Sequence, residues 1–137
     1  MSKKAVITVK SNISVEEEFI EVITPGVFTV LKNGFKVEYE ETKLSGMEGT
    51  KTTMFIRKNS FQLMRRGSTE TKMLFDKSNQ SMSLYKTPYG NMAITIDTKH
   101  IKIDVDENGG DIHIIYTLLI EDQQRIETDL KVNINVI

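Results

Sequence analysis

Residues 124–136 read Gln124-Arg125-Ile126-Glu127-Thr128-Asp129-Leu130-Lys131-Val132-Asn133-Ile134-Asn135-Val136. Ile126, Thr128, Leu130, Val132, Ile134 and Val136 fall on one side. Arg125, Glu127, Asp129, Lys131, Asn133 and Asn135 fall on the other. A period of two held this long is the pattern of a strand with one buried and one wet face. At about 3.3 Å per residue such a strand spans roughly 40 Å, well beyond the usual strand length. A strand of that length twists and coils around a core, as the staves of a barrel do.

The rest of the chain repeats the signal. Ala5–Ile13 alternates, and Phe19–Thr24 is rich in β-formers behind the charged run Glu16-Glu17-Glu18. Pro25-Gly26 marks a turn. Asn33-Gly34, between Val27–Lys32 and Phe35–Glu41, predicts a type I′ hairpin with both residues at positive φ. Thr42–Gly49 reads as a loop or a bulged strand. Thr50–Arg57, Phe61–Arg65, Lys72–Phe75 and Ser81–Thr87 are further strands. Asn91–Thr98 alternates, and Ile101, Ile103 and Val105 follow on one face beyond a junction at Lys99-His100. Asp106–Gly110 is a hairpin loop, and Ile112–Ile120 is apolar on both faces. Loops this short force antiparallel neighbours, because a parallel crossover needs about a dozen residues.

The expectation is therefore an all-β fold: a single closed antiparallel β-barrel of eight to ten main strands, with the first strand paired to the last. A two-sheet sandwich is the competitor, and it needs long connections that only Thr42–Gly49 could supply. With 137 residues, one domain over residues 1–137 buries about two thirds of its unfolded surface.

Composition narrows the function classes. The chain has no cysteine, which excludes disulfides, thiolate metal sites and a cysteine nucleophile. A net charge of −1, from 18 basic and 19 acidic residues, gives no general pull towards nucleic acid. The apolar run after Met1-Ser2-Lys3-Lys4 is too short for a signal peptide or a membrane span. A cytoplasmic protein without membrane or nucleic-acid partners is the expectation.

Five stretches occur in a familiar order: Tyr39-Glu40-Glu41, Met64-Arg65-Arg66-Gly67, Met73-Leu74-Phe75, Tyr85-Lys86-Thr87-Pro88-Tyr89-Gly90 and Asp97-Thr98-Lys99. From about Ala5 to Ile134 the chain resembles the YwiB-like family of small bacterial β-barrel proteins, a domain of unknown function grouped with the calycins. The resemblance implies a calycin-like, lipocalin-like barrel and brings no activity or site residues with it. Fold-level analogy does not transfer ligand binding.

Motifs for chemistry are missing. There is no G-x-S-x-G, P-loop, G-x-G-x-x-G or H-E-x-x-H. His100 and His113, the two histidines, have no carboxylate or second histidine at ligand spacing. Asp104-Val105-Asp106-Glu107-Asn108-Gly109 resembles part of a calcium loop but stands in a hairpin, and Ile115 occupies the place of the closing glutamate. The expected metal and cofactor set is none, and no nucleophile–base pair points to an enzyme.

Polar residues on apolar rows are more informative. The rows Phe35-Val37-Tyr39-Glu41, Thr53-Phe55-Arg57 and Phe61-Leu63-Arg65 each begin apolar and end charged. Pointing inward, they would set Tyr39, Glu41, Arg57 and Arg65 at one barrel end, with Tyr89 projecting from its turn beside them. Arginine there binds a carboxylate or phosphate in bidentate fashion. Charges that simply reach water at strand ends explain the same rows, and a one-residue slip would turn Glu40 inward in place of Glu41. The expected partner is a small, partly apolar, anionic ligand. The alternative is a structural protein that forms a homodimer through the outer face of Ile112–Ile120.

Overall fold

The computed structural model describes residues 2–13, 18–42, 47–68, 70–77, 80–87, 90–121 and 124–137, leaving aside the side chains at 13, 18, 19, 87 and 124. Ten strands make up its regular structure: β1 (Ser2–Ile13), β2 (Glu18–Leu31), β3 (Gly34–Glu40), β4 (Thr50–Ile56), β5 (Ser60–Gly67), β6 (Thr71–Asp76), β7 (Ser81–Thr87), β8 (Gly90–Asp106), β9 (Gly109–Ile120) and β10 (Gln124–Val136). They form one sheet in the order β6-β5-β4-β3-β2-β1-β10-β9-β8-β7, with every pairing antiparallel. Each strand lies beside its sequence neighbours, and β1 lies beside β10. Among the described residues the ends β6 and β7 are linked by one bridge, Glu70↔Lys86, with two backbone hydrogen bonds of 2.8 Å. The result is a nearly closed up-and-down barrel. No helix among the described residues is long and apolar enough to cross a membrane.

β10 carries out its sequence pattern. Leu130, Val132 and Ile134 are buried, while Arg125, Glu127, Lys131, Asn133 and Asn135 are exposed. Its register runs Leu130↔Ile114 to β9 and Ile134↔Ile7 to β1, which stacks apolar residues on the inner face. Phe28, Phe61, Phe75, Met54, Ile7, Ile56, Ile96, Ile112 and Ile114 are fully buried and fill most of the interior. Phe28 stacks on Phe35 at a ring distance of 5.4 Å, and Phe75 packs against Phe61 at 5.9 Å and Tyr116 at 4.7 Å.

Three local expectations are corrected. The junction at Lys99-His100 is a bulge inside one seventeen-residue strand, β8, between the pairs Thr98↔Tyr116 and His100↔Ile115. The extra residue shifts the alternation, so Ile94, Ile96 and Thr98 point inward before it and Ile101, Ile103 and Val105 after it. The hairpin after β2 turns on Lys32-Asn33, with Leu31↔Gly34 as the first pair. Asn33 does not take positive φ. Gly34 is required instead because a Cβ there would collide with the Ile56 carbonyl.

Pro25-Gly26 lies within β2 and is no turn. β3 reaches only as far as Val27 on β2, so that ladder does not call on Pro25 for a donor. Gly26 admits a close approach, since a Cβ there would lie 2.8 Å from the Glu38 carbonyl oxygen and 2.9 Å from Ile7 Cγ1. Gly26→Ala should cost about 1–3 kcal/mol, the usual range for overpacking. A urea unfolding curve with an unchanged midpoint would contradict this close approach.

Candidate functional site

The site grows from two of the three rows that end in charge. Val37, Tyr39, Phe61 and Leu63 are buried, so the β3 and β5 rows face inward. The pairs Tyr39↔Thr52, Thr52↔Arg65 and Arg65↔Thr71 align these residues across β3, β4, β5 and β6. Glu41 extends the β3 row one step past the strand. Its N–H donates to the Thr50 carbonyl at 2.8 Å, and its carboxylate is carried inside at 7% exposure. Glu41, and not Glu40, is therefore the inward residue.

Glu41 Oε2 accepts a hydrogen bond from Thr52 Oγ1, and the carboxylate accepts another from the Tyr39 hydroxyl. Arg65 Nε lies 3.8 Å from Glu41 Oε2, close enough for charge attraction but too far for a hydrogen bond. That buried N–H has no hydrogen-bond partner among the described residues, and neither does the hydroxyl of neighbouring Thr71. A buried donor without a partner costs about 1–3 kcal/mol, so such a group calls for water or a ligand.

Tyr39, Glu41 and Arg65 border a cavity of about 130 Å³. Glu41, Arg65 and the Tyr39 and Tyr116 rings meet there with an apolar wall that includes Leu63, Met73 and Phe75. Burial raises the Tyr39 pKa well above the ordinary tyrosine value, and the Glu41 charge raises it further against the opposing effect of Arg65. Burial also raises Tyr116, against the lowering effects of Arg65 and a hydrogen bond with Thr128. The site is thus a compensated acid–base pair walled by two neutral phenols, with donor capacity left on Arg65.

Arg57 does not belong to it. Thr52, Met54 and Ile56 take the inner face of β4, so the row Thr53-Phe55-Arg57 points outward. Arg57 also follows Ile56 at the far end of the strand, where it lines an outer groove with Lys32, Gly34 and Phe35. Tyr89 lies outside the described residues. Thr52, Thr71 and Tyr116 were not singled out from the sequence. On β4 both rows carry apolar and threonine residues, so pattern alone leaves the register open. Tyr116 is hidden in a run that is apolar on both faces.

The histidines meet after all. His100 and His113 lie edge to face at a ring distance of 5.0 Å on the outer wall, and His113 Nε2 is 2.8 Å from Asp129 Oδ1. His113 also borders an open groove of about 430 Å³ with Lys10, Lys102, Lys131, Asp104 and Asp111. Among the described residues no three metal-ligating side chains come together. In the turn after β8, Asp106 Oδ1 accepts the Asn108 N–H at 2.8 Å, as expected of a hairpin loop. The smaller inner cavity is the stronger candidate, because there charge is buried and donors are left over.

Two predictions follow from this geometry. Arg65→Met strands the buried Glu41 carboxylate and should cost about 3–5 kcal/mol in urea unfolding, part of it recovered by adding Glu41→Gln; a loss near zero would show that water screens the pair. Because Tyr39 and Tyr116 hold their protons more tightly folded than unfolded, the unfolded chain gives them up first. Stability is therefore complete below pH 10, the ordinary tyrosine value, and falls as pH rises past it. A spectrophotometric titration should show these two phenols ionising only as the barrel unfolds. Full tyrosinate absorbance in a folded chain would refute it.

Comparison with known proteins agrees with the architecture. The chain is 29% identical over 108 residues to the uncharacterised β-barrel protein YwiB of Bacillus subtilis (strain 168), covering 79% of this chain and 75% of that one. The crystal structure of the Bacillus subtilis ywiB protein superposes with a TM-score of 0.86 at 23% identity, over 98% of this chain and 92% of that one. Residues 7–132 match the family model described as Domain of unknown function (DUF1934), and the chain belongs to that family.

Proposed function

We propose that this barrel is a binding module for a small carboxylate or similar oxyanion, taken at the polar end between Arg65, Tyr39 and Tyr116. The observation that carries this reading is Arg65, which borders a cavity and whose buried Nε–H lacks a hydrogen-bond partner among the described residues. An arginine can hold one carboxylate with part of its fork and offer the remaining donors to a second. Glu41 balances the charge while the site is empty. The cavity of about 130 Å³ is below the roughly 300–1,000 Å³ of ordinary small-molecule sites, so the ligand is a few heavy atoms with a short apolar part. A calycin grouping fits this reading, since barrels of similar width are either filled or hold one small ligand. The cysteine-free composition supports a cytoplasmic setting for it.

The rival is a homodimer with no ligand, using the outer row of β9. Its Ile115 and Leu119 are only partly buried within one chain, although Thr117 is covered by its own neighbours. A concentration-independent monomer in sedimentation velocity would remove that rival.

The ligand reading is tested by thermal shift with acetate, glyoxylate, pyruvate and phosphate. A ligand that binds only the folded chain stabilises it by about 2.7 kcal/mol at a hundred times its Kd. At least one of these ions should raise the melting temperature saturably, and Arg65→Lys, which keeps the charge but loses the fork, should abolish the rise. No shift with any of the four, or an equal shift in the variant, would count against the site.

A further inference from the structure

The long strands β8, β9, β10 and β1 lie side by side and share one outer wall. Their registers set two rows of outward side chains straight across it. One row runs Lys10↔Lys131, Lys131↔His113 and His113↔Lys102. The other lies two residues along each strand and runs Thr8↔Asn133, Asn133↔Asp111 and Asp111↔Asp104. At about 4.8 Å between strands each row is roughly 14 Å long, and the rows stand about 7 Å apart. Both rows line an open groove of about 430 Å³, together with Ile112 and Val132, which are buried and so turn their main chain to it. That volume is within the roughly 300–1,000 Å³ of small-molecule sites. Like charges directly opposite one another destabilise a sheet, yet Lys10 faces Lys131 and Asp104 faces Asp111. Glu21 relieves Lys10 at 3.4 Å, and Asp129 holds His113 at 2.8 Å. Lys102, Lys131 and Asp104 form no ion pair among the described residues. Basic and acidic groups are thus sorted into separate rows, in a chain whose net charge is only −1.

We infer that this outer groove binds a phosphorylated sugar, with the phosphate over Lys131, His113 and Lys102 and the hydroxyls over Asp111, Asp104 and Asn133. Lysine serves phosphate as a mobile point charge with three donors, and two such charges here lack a partner of their own. Carboxylates accept hydrogen bonds from hydroxyls, and a pair of them on adjacent strands suits a vicinal diol; the Asn133 amide both donates and accepts. The spacing of about 7 Å between the rows is the reach from a terminal phosphate to the ring hydroxyls of a five-carbon sugar. A free amino acid carries its two charges on neighbouring carbons and is too short to span both rows. Nucleic acid is disfavoured, because the acidic row repels the next phosphate along the strand. The inference goes beyond the small-anion reading and does not rest on it, since the groove and the inner cavity share no residue.

The experiment is an amide NMR titration with ribose 5-phosphate, inorganic phosphate and ribose. The expected result is saturable shifts at the amides of Lys102, Asp104, Asp111, His113 and Lys131, with ribose 5-phosphate bound more tightly than phosphate and ribose not bound. Lys102→Gln/Lys131→Gln should weaken ribose 5-phosphate by about tenfold or more, a loss typical of two charged contacts. Its melting temperature should hold or rise, because the variant removes the repulsion between Lys10 and Lys131, so lost binding is told apart from lost folding. Asp104→Ala/Asp111→Ala should abolish the preference for ribose 5-phosphate over phosphate. Absence of saturable shifts, equal affinity for phosphate and ribose 5-phosphate, tighter binding of phosphoethanolamine, or binding unchanged in the lysine variant would overturn the proposal. Loss of the shifts in Arg65→Lys would overturn it as well, by placing the ligand in the inner cavity.

Discussion

The two-residue repeat of the extended chain, held in register around a nearly closed sheet, is the constraint on which the rest of this structure depends. Each strand must deliver alternate residues to the inside, and any strand out of step would put polar groups in the core. β10 meets this demand against both neighbours, pairing Leu130 with Ile114 and Ile134 with Ile7. β8 would fail it without help, because its apolar residues change parity between Ile96 and Ile101. One bulge at Lys99 restores the phase, and a single strand then supplies apolar residues to the core along both halves. The same bulge shifts His100 to the outer wall, where it meets His113.

Filling the barrel leaves little room for function inside. Phenylalanine, methionine and isoleucine occupy most of the interior, and packing at this density keeps voids few and small. The exception lies where the inner rows of β3 and β5 turn polar. There the fold accepts a buried carboxylate and a guanidinium, groups that cost several kcal/mol to desolvate unless paired. Glu41 is well served by Thr52 and Tyr39. Arg65 is less well served, and this inequality gives the cavity its chemical character. The relatives share the architecture, and the names they carry assign no ligand to it.

The seam between β6 and β7 reflects a different compromise. A closed barrel abolishes sheet edges, and here the two end strands are linked, among the described residues, by the single bridge from Glu70 to Lys86. Short edges and lysines limit indiscriminate pairing at that point.

By itself the sequence determined most of the strands, their antiparallel succession and the inner face of β10, because a period of two is a local property written in consecutive residues; it divided β2 and β8 in two where each runs on. It also placed Tyr39, Glu41 and Arg65 on rows that run from apolar to charged. Only the tertiary structure decided which rows face inward. Thr53-Phe55-Arg57 resembles the others in composition, and its outward direction is set by pairing with β3 and β5, a relation no local pattern contains. Local turn signals misled for a similar reason. At Pro25-Gly26 and Gly34 the need for glycine comes from the close approach of Glu38, Ile7 and Ile56, all distant in the chain. The meeting of His100 with His113, and of Arg65 with Tyr116, likewise depends on register, bulge and curvature, which arise only when the sheet closes.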